Sequence, residues 1–154
     1  NYSECYLDIA NSGVSIKRSG GFIRGIDTSS DVGTFRTQFV NPEPVTVKDI
    51  NGNLLPDSAK MTTGCTVCLG GADGYPVIDS VTAVIIGDVD CDGYIDAMDS
   101  ILVSCIAQEL YEGGDLTAAQ LRAADVDASG TWDDADAQYI QSCGLLINTV
   151  DQHI

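Results

Sequence analysis

Residues 88–99 read Asp-Val-Asp-Cys-Asp-Gly-Tyr-Ile-Asp-Ala-Met-Asp, and this stretch decides how the second half of the chain folds. Its aspartates stand at positions 1, 3, 5, 9 and 12 of the twelve, as Asp88, Asp90, Asp92, Asp96 and Asp99. Gly93 at position 6 permits a sharp turn, and Tyr94 at position 7 offers its backbone carbonyl. Ca²⁺ takes six to eight oxygen ligands at about 2.3–2.6 Å, which this density of short acidic side chains supplies. The stretch therefore predicts a calcium-binding loop.

Residues 125–136 repeat the pattern as Asp-Val-Asp-Ala-Ser-Gly-Thr-Trp-Asp-Asp-Ala-Asp, 37 residues further along the chain. The predicted oxygen donors of this second loop are Asp125, Asp127, Ser129, the carbonyl of Thr131, Asp133 and Asp136. Because Ser129 replaces an acid, we expect the second loop to bind calcium more weakly. Both loops follow the ligand order of an EF-hand, so the sequence predicts two Ca²⁺ ions. Ile95 and Trp132 at position 8 are the residues expected to pair the loops.

The acidic residues are concentrated in the same half of the chain. Residues 1–86 hold nine acidic and six basic residues, a net charge of −3. Residues 87–154 hold fourteen acidic residues and one basic residue, a net charge of −13. Two Ca²⁺ ions would reduce the second value to −9. The overall charge of −16 argues against nucleic acid and anionic lipid as partners, since both require basic residues. No apolar run is long enough for membrane insertion.

The segments that flank the loops differ from an ordinary helix–loop–helix hand. Val81–Ile86 before the first loop is β-branched and apolar, which predicts a strand. Residues 97–110 and 134–146, which leave the two loops, are expected to be helices. A further helix over residues 116–124 is predicted from the capping-box pair Thr117 and Gln120. The sequence therefore predicts an all-α C-terminal region in which each calcium loop is followed by a helix.

Residues 1–86 predict an α+β module, mainly antiparallel β with one short helix. Strands are expected in residues 21–27, 66–69 and 77–86, and the helix in residues 31–39. Asn51-Gly52 between apolar residues predicts a hairpin turn. We place the domain boundary at Gly87, so the expected domains are residues 1–86 and 87–154.

The chain contains two units of a calcium loop followed by a helix, with Gly87 before the first loop and Ala124 before the second. These units resemble a dockerin of type I with duplicated F-hand repeats. The resemblance covers about residues 87–148. The stretches Ile26–Phe35, Thr63–Cys65 and Asp79–Val89 resemble, less specifically, the X modules that precede dockerins. Together these resemblances imply a secreted protein of a bacterial cellulosome-type, cell-surface-associated assembly for polysaccharide degradation. The implied partner is a cohesin module of a scaffoldin or cell-surface anchoring protein. The chain would tether a cellulosomal enzyme or scaffold protein to that partner in a calcium-dependent manner.

The resemblance also implies where the partner binds. The corresponding positions are Ala97, Met98, Ile101, Ser104, Cys105, Glu109, Asp134, Ala135, Gln141, Ser142 and Leu146. The two repeats differ chemically at these positions, which favours binding in one orientation. We expect the repeat-1 helix, with Met98, at the centre of the contact and Asp134 at its rim. Core packing is the alternative role for Met98.

No arrangement of residues indicates catalysis, and the chain is expected not to be an enzyme. The only histidine is His153, which the sequence places in a frayed tail. The alternative function is an extracellular carbohydrate-active enzyme fragment with a calcium-stabilised tail. A third interpretation is a structural pair of calcium loops with no protein partner.

Six cysteines are divided equally between the two predicted domains, as Cys5, Cys65, Cys68, Cys91, Cys105 and Cys143. In an extracellular protein they suggest disulfides. If all six pair, at least one bridge must join the domains. The Cys65-x-x-Cys68 spacing lies in a predicted strand, where residues three apart point to opposite faces, so zinc or redox function is not favoured.

Overall fold

A computed structural model describes residues 6–10, 13–72, 74–110 and 116–154 of the chain. These residues form five strands and four helices. The strands are β1 (Ser15–Lys17), β2 (Phe22–Arg24), β3 (Val45–Lys48), β4 (Thr66–Gly70) and β5 (Val77–Ala83). The helices are α1 (Val32–Arg36), α2 (Ala97–Ala107), α3 (Ala118–Ala124) and α4 (Asp134–Gly144). None of the helices in this part of the chain has the length and apolar character needed to cross a membrane.

The five strands form one sheet in the order β1-β2-β5-β4-β3. Three neighbouring pairs are antiparallel, but β2 and β5 run parallel, so the sheet is mixed rather than wholly antiparallel. The predicted strand over residues 77–86 is three residues too long, because β5 ends at Ala83. Beyond it, the Ile85 N–H donates to the hydroxyl of Thr63 at 3.0 Å instead of to a neighbouring strand.

The helix and the turn predicted in the N-terminal module both form, in shorter versions. Asp31 caps α1 by accepting from the Thr34 N–H, and α1 ends before the expected Phe39. Gly52 adopts φ +87°, as the predicted turn requires. The two segments that flank this turn pair only at the Lys48–Leu54 bridge. The rest of β3 pairs with β4 and not with the residues that follow the turn.

Two hydrophobic clusters meet at residues 84–86. Ile85 packs into the cluster formed by the N-terminal sheet and α1, whereas Val84 and Ile86 pack into the cluster of the C-terminal helices. All three side chains are fully buried. Successive side chains of this extended segment point in opposite directions and so enter two different cores. The proposed domain boundary at Gly87 directly follows these three residues.

Helices α2 and α4 start where the sequence predicts and end three and two residues earlier than expected, whereas α3 starts two residues later than predicted and ends at the expected Ala124. Thr117 and Gln120 form the predicted capping box at α3. Helices α2 and α4 pack together, and the Ser100 hydroxyl donates to the Ala137 carbonyl at 2.7 Å between them. Gly144 at the end of α4 lies against Asp96 and Ala97 at the start of α2, so the two helices run antiparallel.

Candidate calcium centres

Three carboxylates of the first loop converge. Asp88, Asp90 and Asp99 each place one carboxylate oxygen within 4.8 Å of the other two. These are positions 1, 3 and 12 of the predicted loop. Asp88 and Asp99 are fully buried, and Asp99 lies in the first turn of α2. The loop therefore brings together an acidic cluster that is largely shielded from solvent.

Backbone amides hold these carboxylates in place. Asp99 accepts from the N–H groups of Val89 at 2.7 Å, Asp90 at 3.1 Å and Asp96 at 2.9 Å. Asp88 accepts from the N–H of Gly93 at 3.1 Å. These bonds wrap the loop around its own acids, which fixes the direction of the remaining carboxylate lone pairs.

The second loop repeats this geometry. Asp125, Asp127 and Asp136 form a cluster within the same 4.8 Å limit. Asp136 accepts from Val126 N–H at 2.9 Å, as Asp99 does from Val89. Asp125 accepts from Gly130 N–H at 3.0 Å, as Asp88 does from Gly93. The sequence duplication is thus a duplication of hydrogen bonds as well.

The backbone conformation of the two loops also matches. Gly93 and Gly130 at position 6 have φ values of +83° and +84°. Cys91 and Ala128 at position 4 have φ values of +68° and +57°, although neither is glycine. A left-handed conformation is uncommon for such residues, and here it recurs at the same position of both loops. The turn needed to surround an ion is therefore already formed in both.

Electrostatics favours a cation in these clusters. Burial raises the pKa of Asp99 to about 7, and burial likewise raises the pKa of Asp88 and Asp90 above the ordinary value. In the second loop burial raises the pKa of Asp136. Taking like charges out of water together is unfavourable, and a bound divalent cation offsets it. All-oxygen clusters of this kind suit a hard cation such as Ca²⁺.

The other predicted ligands do not belong to these clusters. Asp96 and Asp133 at position 9 instead cap α2 and α4, accepting from Met98 N–H and Ala135 N–H at 2.8 Å each. Asp92 at position 5 accepts from Tyr94 N–H at 2.7 Å, and the Ser129 hydroxyl lies 3.0 Å from that of Thr131. Position 9 often reaches calcium through a water molecule in such loops, which leaves its side chain free to cap. The roles of Asp92, Asp96, Ser129 and Asp133, and of the Tyr94 and Thr131 carbonyls, stay predictions.

The predicted pairing of the loops is not seen as a β-bridge among the described residues. Ile95 packs against the C-terminal cluster. The Trp132 indole N–H donates to the Leu121 carbonyl at 2.8 Å, which connects the second loop to α3. The position-8 residues thus contact the body of the helical region.

All the residues expected to contact a partner have accessible surface. Met98 and Ile101 are 55% and 54% exposed, and Leu146 is 93% exposed. Core packing is therefore excluded for Met98. Of the others, Ser104, Cys105 and Ser142 are half-buried, and Ala97, Glu109, Asp134, Ala135 and Gln141 are exposed. Their role in binding is untested and stays a prediction.

Contacts between the first loop and the N-terminal module were not predicted. The Thr63 N–H donates to the buried carboxylate of Asp88 at 2.8 Å. The Lys60 ammonium lies 3.7 Å from the centre of the Tyr94 ring. Thr63 and Lys60 lie about 25 and 34 residues away in sequence from these partners, so no local pattern indicates the contacts. Only the first loop has its position-1 aspartate held in this way by the sheet module.

The C-terminal tail is not frayed, which corrects the sequence-based interpretation. Gln152 exchanges two side-chain hydrogen bonds with the backbone of Ile86, at 2.7 and 2.9 Å. The Ile154 backbone oxygen accepts from Arg24 and Arg122, one from each side of the predicted boundary. His153 between them is exposed. Partly buried polar partners from distant parts of the sequence hold the tail in place.

The described cysteines Cys65, Cys68, Cys91, Cys105 and Cys143 are free thiols in the structure, and Cys5 lies outside the described residues. The expected bridge between domains is therefore not formed here. Cys65 packs into the N-terminal cluster, whereas Cys68 is buried outside it. This agrees with the expectation that the two side chains point to opposite faces of the strand. No cysteine belongs to the candidate metal groups of the described residues.

These two acidic loops lie in a part of the chain that a family model recognises. Residues 86–142 match the dockerin type I domain. The match supports a dockerin in this segment, which is less than half of the chain, and it leaves the preceding sheet module unassigned. Dockerin domains bind calcium, are non-catalytic interaction modules and bind cohesins, and proteins that carry them are typically extracellular or cell-surface associated. No match was found among curated proteins or among solved structures.

Proposed function

We propose that this chain is a calcium-dependent adhesion module that docks its parent protein on a cohesin of a scaffoldin or cell-surface anchoring protein. Two calcium ions organise the dockerin segment, and the first turns of α2 and α4 present the binding surface. The setting is an extracellular assembly of the cellulosome type, in which the parent is an enzyme or a scaffold protein. The sheet module before the dockerin acts as an X-like accessory that supports the first loop.

The observation that carries this proposal is the pair of matching acidic clusters within the dockerin segment. Each cluster ends at an aspartate in the first turn of an exiting helix, Asp99 in α2 and Asp136 in α4. An ion that bridges each cluster fixes the loop relative to the helix behind it. Since α2 and α4 also pack together, two ions set the relative orientation of the two first turns. Those turns contain half of the exposed residues that we expect to contact the partner, namely Ala97, Met98, Asp134 and Ala135.

The surface itself suits protein binding. The α2 side offers Met98 and Ile101, each more than half exposed, and α4 is followed by the exposed Leu145, Leu146 and Ile147. Several large apolar side chains exposed together are typical of an interaction site rather than of a solvated helix. Methionine is well suited to such a surface because its side chain adapts to different neighbours.

The test is calorimetric titration of the full chain against a panel of purified cohesin modules. We expect at least one cohesin to bind in the presence of calcium and to lose binding in excess chelator. Replacing one acid in each cluster (Asp99→Asn with Asp136→Asn) should abolish binding. Asp151→Asn, an exposed acid outside both clusters, should leave binding unchanged.

Three outcomes would contradict the proposal. Binding that survives chelation and the double substitution would show that the acidic clusters do not organise the surface. Calcium uptake without binding to any member of the panel would instead favour a structural pair of calcium loops. Hydrolysis of a polysaccharide by the isolated chain would favour the enzyme-fragment alternative.

A further inference from the structure

The first calcium loop rests on a tight turn of the N-terminal module, residues 62–65. Besides the bond from Thr63 to Asp88, the turn lies directly against the side chain of Cys91. A Cβ placed on Gly64 would lie 3.7 Å from the Cys91 sulfur, which is ordinary van der Waals contact. Cys91 is position 4 of the first loop, and its thiol lies against this turn of the other module.

The residue after Gly64 is also a cysteine. Cys65 is 1% exposed, and its sulfur lies 3.2 Å from the Thr62 hydroxyl, within the same turn. Cys65 thus directly follows the residue that Cys91 contacts, and the two cysteines lie on opposite sides of the contact between the modules.

We propose that Cys65 and Cys91 form a disulfide that joins the N-terminal module to the first calcium loop. The other three cysteines of the described residues are less suitable partners for either thiol. Cys68 is buried outside the cluster that contains Cys65. Cys105 and Cys143 lie on α2 and α4, the helices that follow the loops. The turn that contains Cys65 already lies against Cys91 in the reduced structure.

The oxidant required is a disulfide of the kind found outside cells, either a small molecule or an exchange protein. Cys91, the more exposed thiol, attacks one sulfur of the reagent R–S–S–R as its thiolate and releases one R–S⁻. The Cys65 thiolate then attacks the Cys91 sulfur and displaces the second R–S⁻. The protein loses two electrons and two protons, and the reagent is reduced to two R–SH molecules.

The bond would make the first loop a fixed part of the sheet module. It closes a loop between residues 26 apart in the chain, which restricts the unfolded state. We therefore expect oxidation to raise Tm by roughly 5–10 °C. We also expect the oxidised chain to lose less of its structure when calcium is removed, because Cys91 remains attached to the turn at Gly64.

The experiment oxidises the full calcium-loaded chain with glutathione disulfide, blocks remaining thiols and maps linked peptides by mass spectrometry without reduction. Trypsin leaves residues 61–122 in one piece, since no Lys or Arg lies between Lys60 and Arg122. A protease that cuts before aspartate is needed, because it separates Cys91 from Cys65. Cys65 and Cys68 remain in one peptide, so a Cys68→Ser variant assigns the link.

We expect a peptide linking Cys65 to Cys91 in both the natural chain and Cys68→Ser, and the accompanying rise in Tm. Cys91→Ser, at a partly exposed position, should abolish both the link and the rise. Mixed disulfides with glutathione at Cys91 but no link to Cys65 would overturn the proposal. A dominant link from Cys65 or Cys91 to any other cysteine would overturn it as well. The map of the natural chain decides the question even if a variant fails to fold.

Discussion

Two glycines at the same position of the two loops provide a direct test of the contact between loop and sheet module. Gly93 and Gly130 both adopt a left-handed backbone, with φ of +83° and +84°. A Cβ on Gly130 would meet nothing within 4 Å, whereas one on Gly93 would lie 2.9 Å from the Met61 carbonyl oxygen. It would also lie 2.7 Å from Cε of Lys60. Alanine at the two sites therefore has the same backbone strain but different neighbours.

The expected magnitudes follow from this difference. The left-handed conformation costs alanine about 1–2 kcal/mol at either site. At Gly93 the backbone of Met61 must also move, and such overpacking costs about 1–3 kcal/mol more. Gly93→Ala should thus lower the free energy of unfolding by about 2–5 kcal/mol, against about 1–2 kcal/mol for Gly130→Ala.

Urea denaturation in saturating calcium, followed by circular dichroism, measures both variants. Fluorescence is less suitable, since Trp132 lies beside Gly130. Lys60→Ala combined with Gly93→Ala should recover only part of the loss, because Lys60 is flexible whereas the Met61 carbonyl is main chain. Equal destabilisation by the two glycine variants would refute the packing of the first loop against residues 60–61.

Two further predictions concern calcium, pH and the binding face. In chelator, the raised pKa of Asp99 means that the folded chain binds more protons than the unfolded chain between pH 3.8 and about 7. Its stability should therefore fall as the pH rises through this range, which thermal melts at several pH values would measure. Saturating calcium should raise Tm and make it less dependent on pH. A Tm that does not change with pH in chelator would contradict this prediction. In titrations with a cognate cohesin, Met98→Asp should cost about 2 kcal/mol or more of affinity and Asp134→Ala under about 1 kcal/mol. The reverse order would show that α4, not α2, lies at the centre of the contact.

The sequence was most informative where residues a few positions apart in the chain determine the local structure. The spacing of aspartates determines which backbone amides each carboxylate reaches, so the acids at positions 1, 3 and 12 converge as expected in both loops. The same local logic places the capping box of Thr117 and Gln120 at α3. At position 9, Asp96 and Asp133 also cap the helices that follow, a second role that the ligand spacing does not reveal.

Local patterns failed where the neighbours come from distant parts of the chain. Residues 77–86 read as one strand because every position suits a strand, but the sheet ends at Ala83. After that point Thr63 and Gln152 supply the hydrogen bonds of Ile85 and Ile86. The parallel pairing of β2 with β5 likewise depends on how the chain crosses over, and not on the composition of either strand.

The sequence presents the two loops as near-copies, and the structure gives them different surroundings. Asp88 is completely buried, and a backbone amide of another module donates to it, whereas the hydrogen bonds that Asp125 accepts among the described residues come from its own loop. An amide that donates to a metal-binding carboxylate restricts its orientation and so affects the affinity of the site. Because Thr63 belongs to the turn that also holds Ile85, ion binding at the first loop and packing of the sheet module stabilise the same contacts. The sheet module and the first loop should therefore unfold together, whereas the second loop contacts α3 through Trp132 and continues into α4.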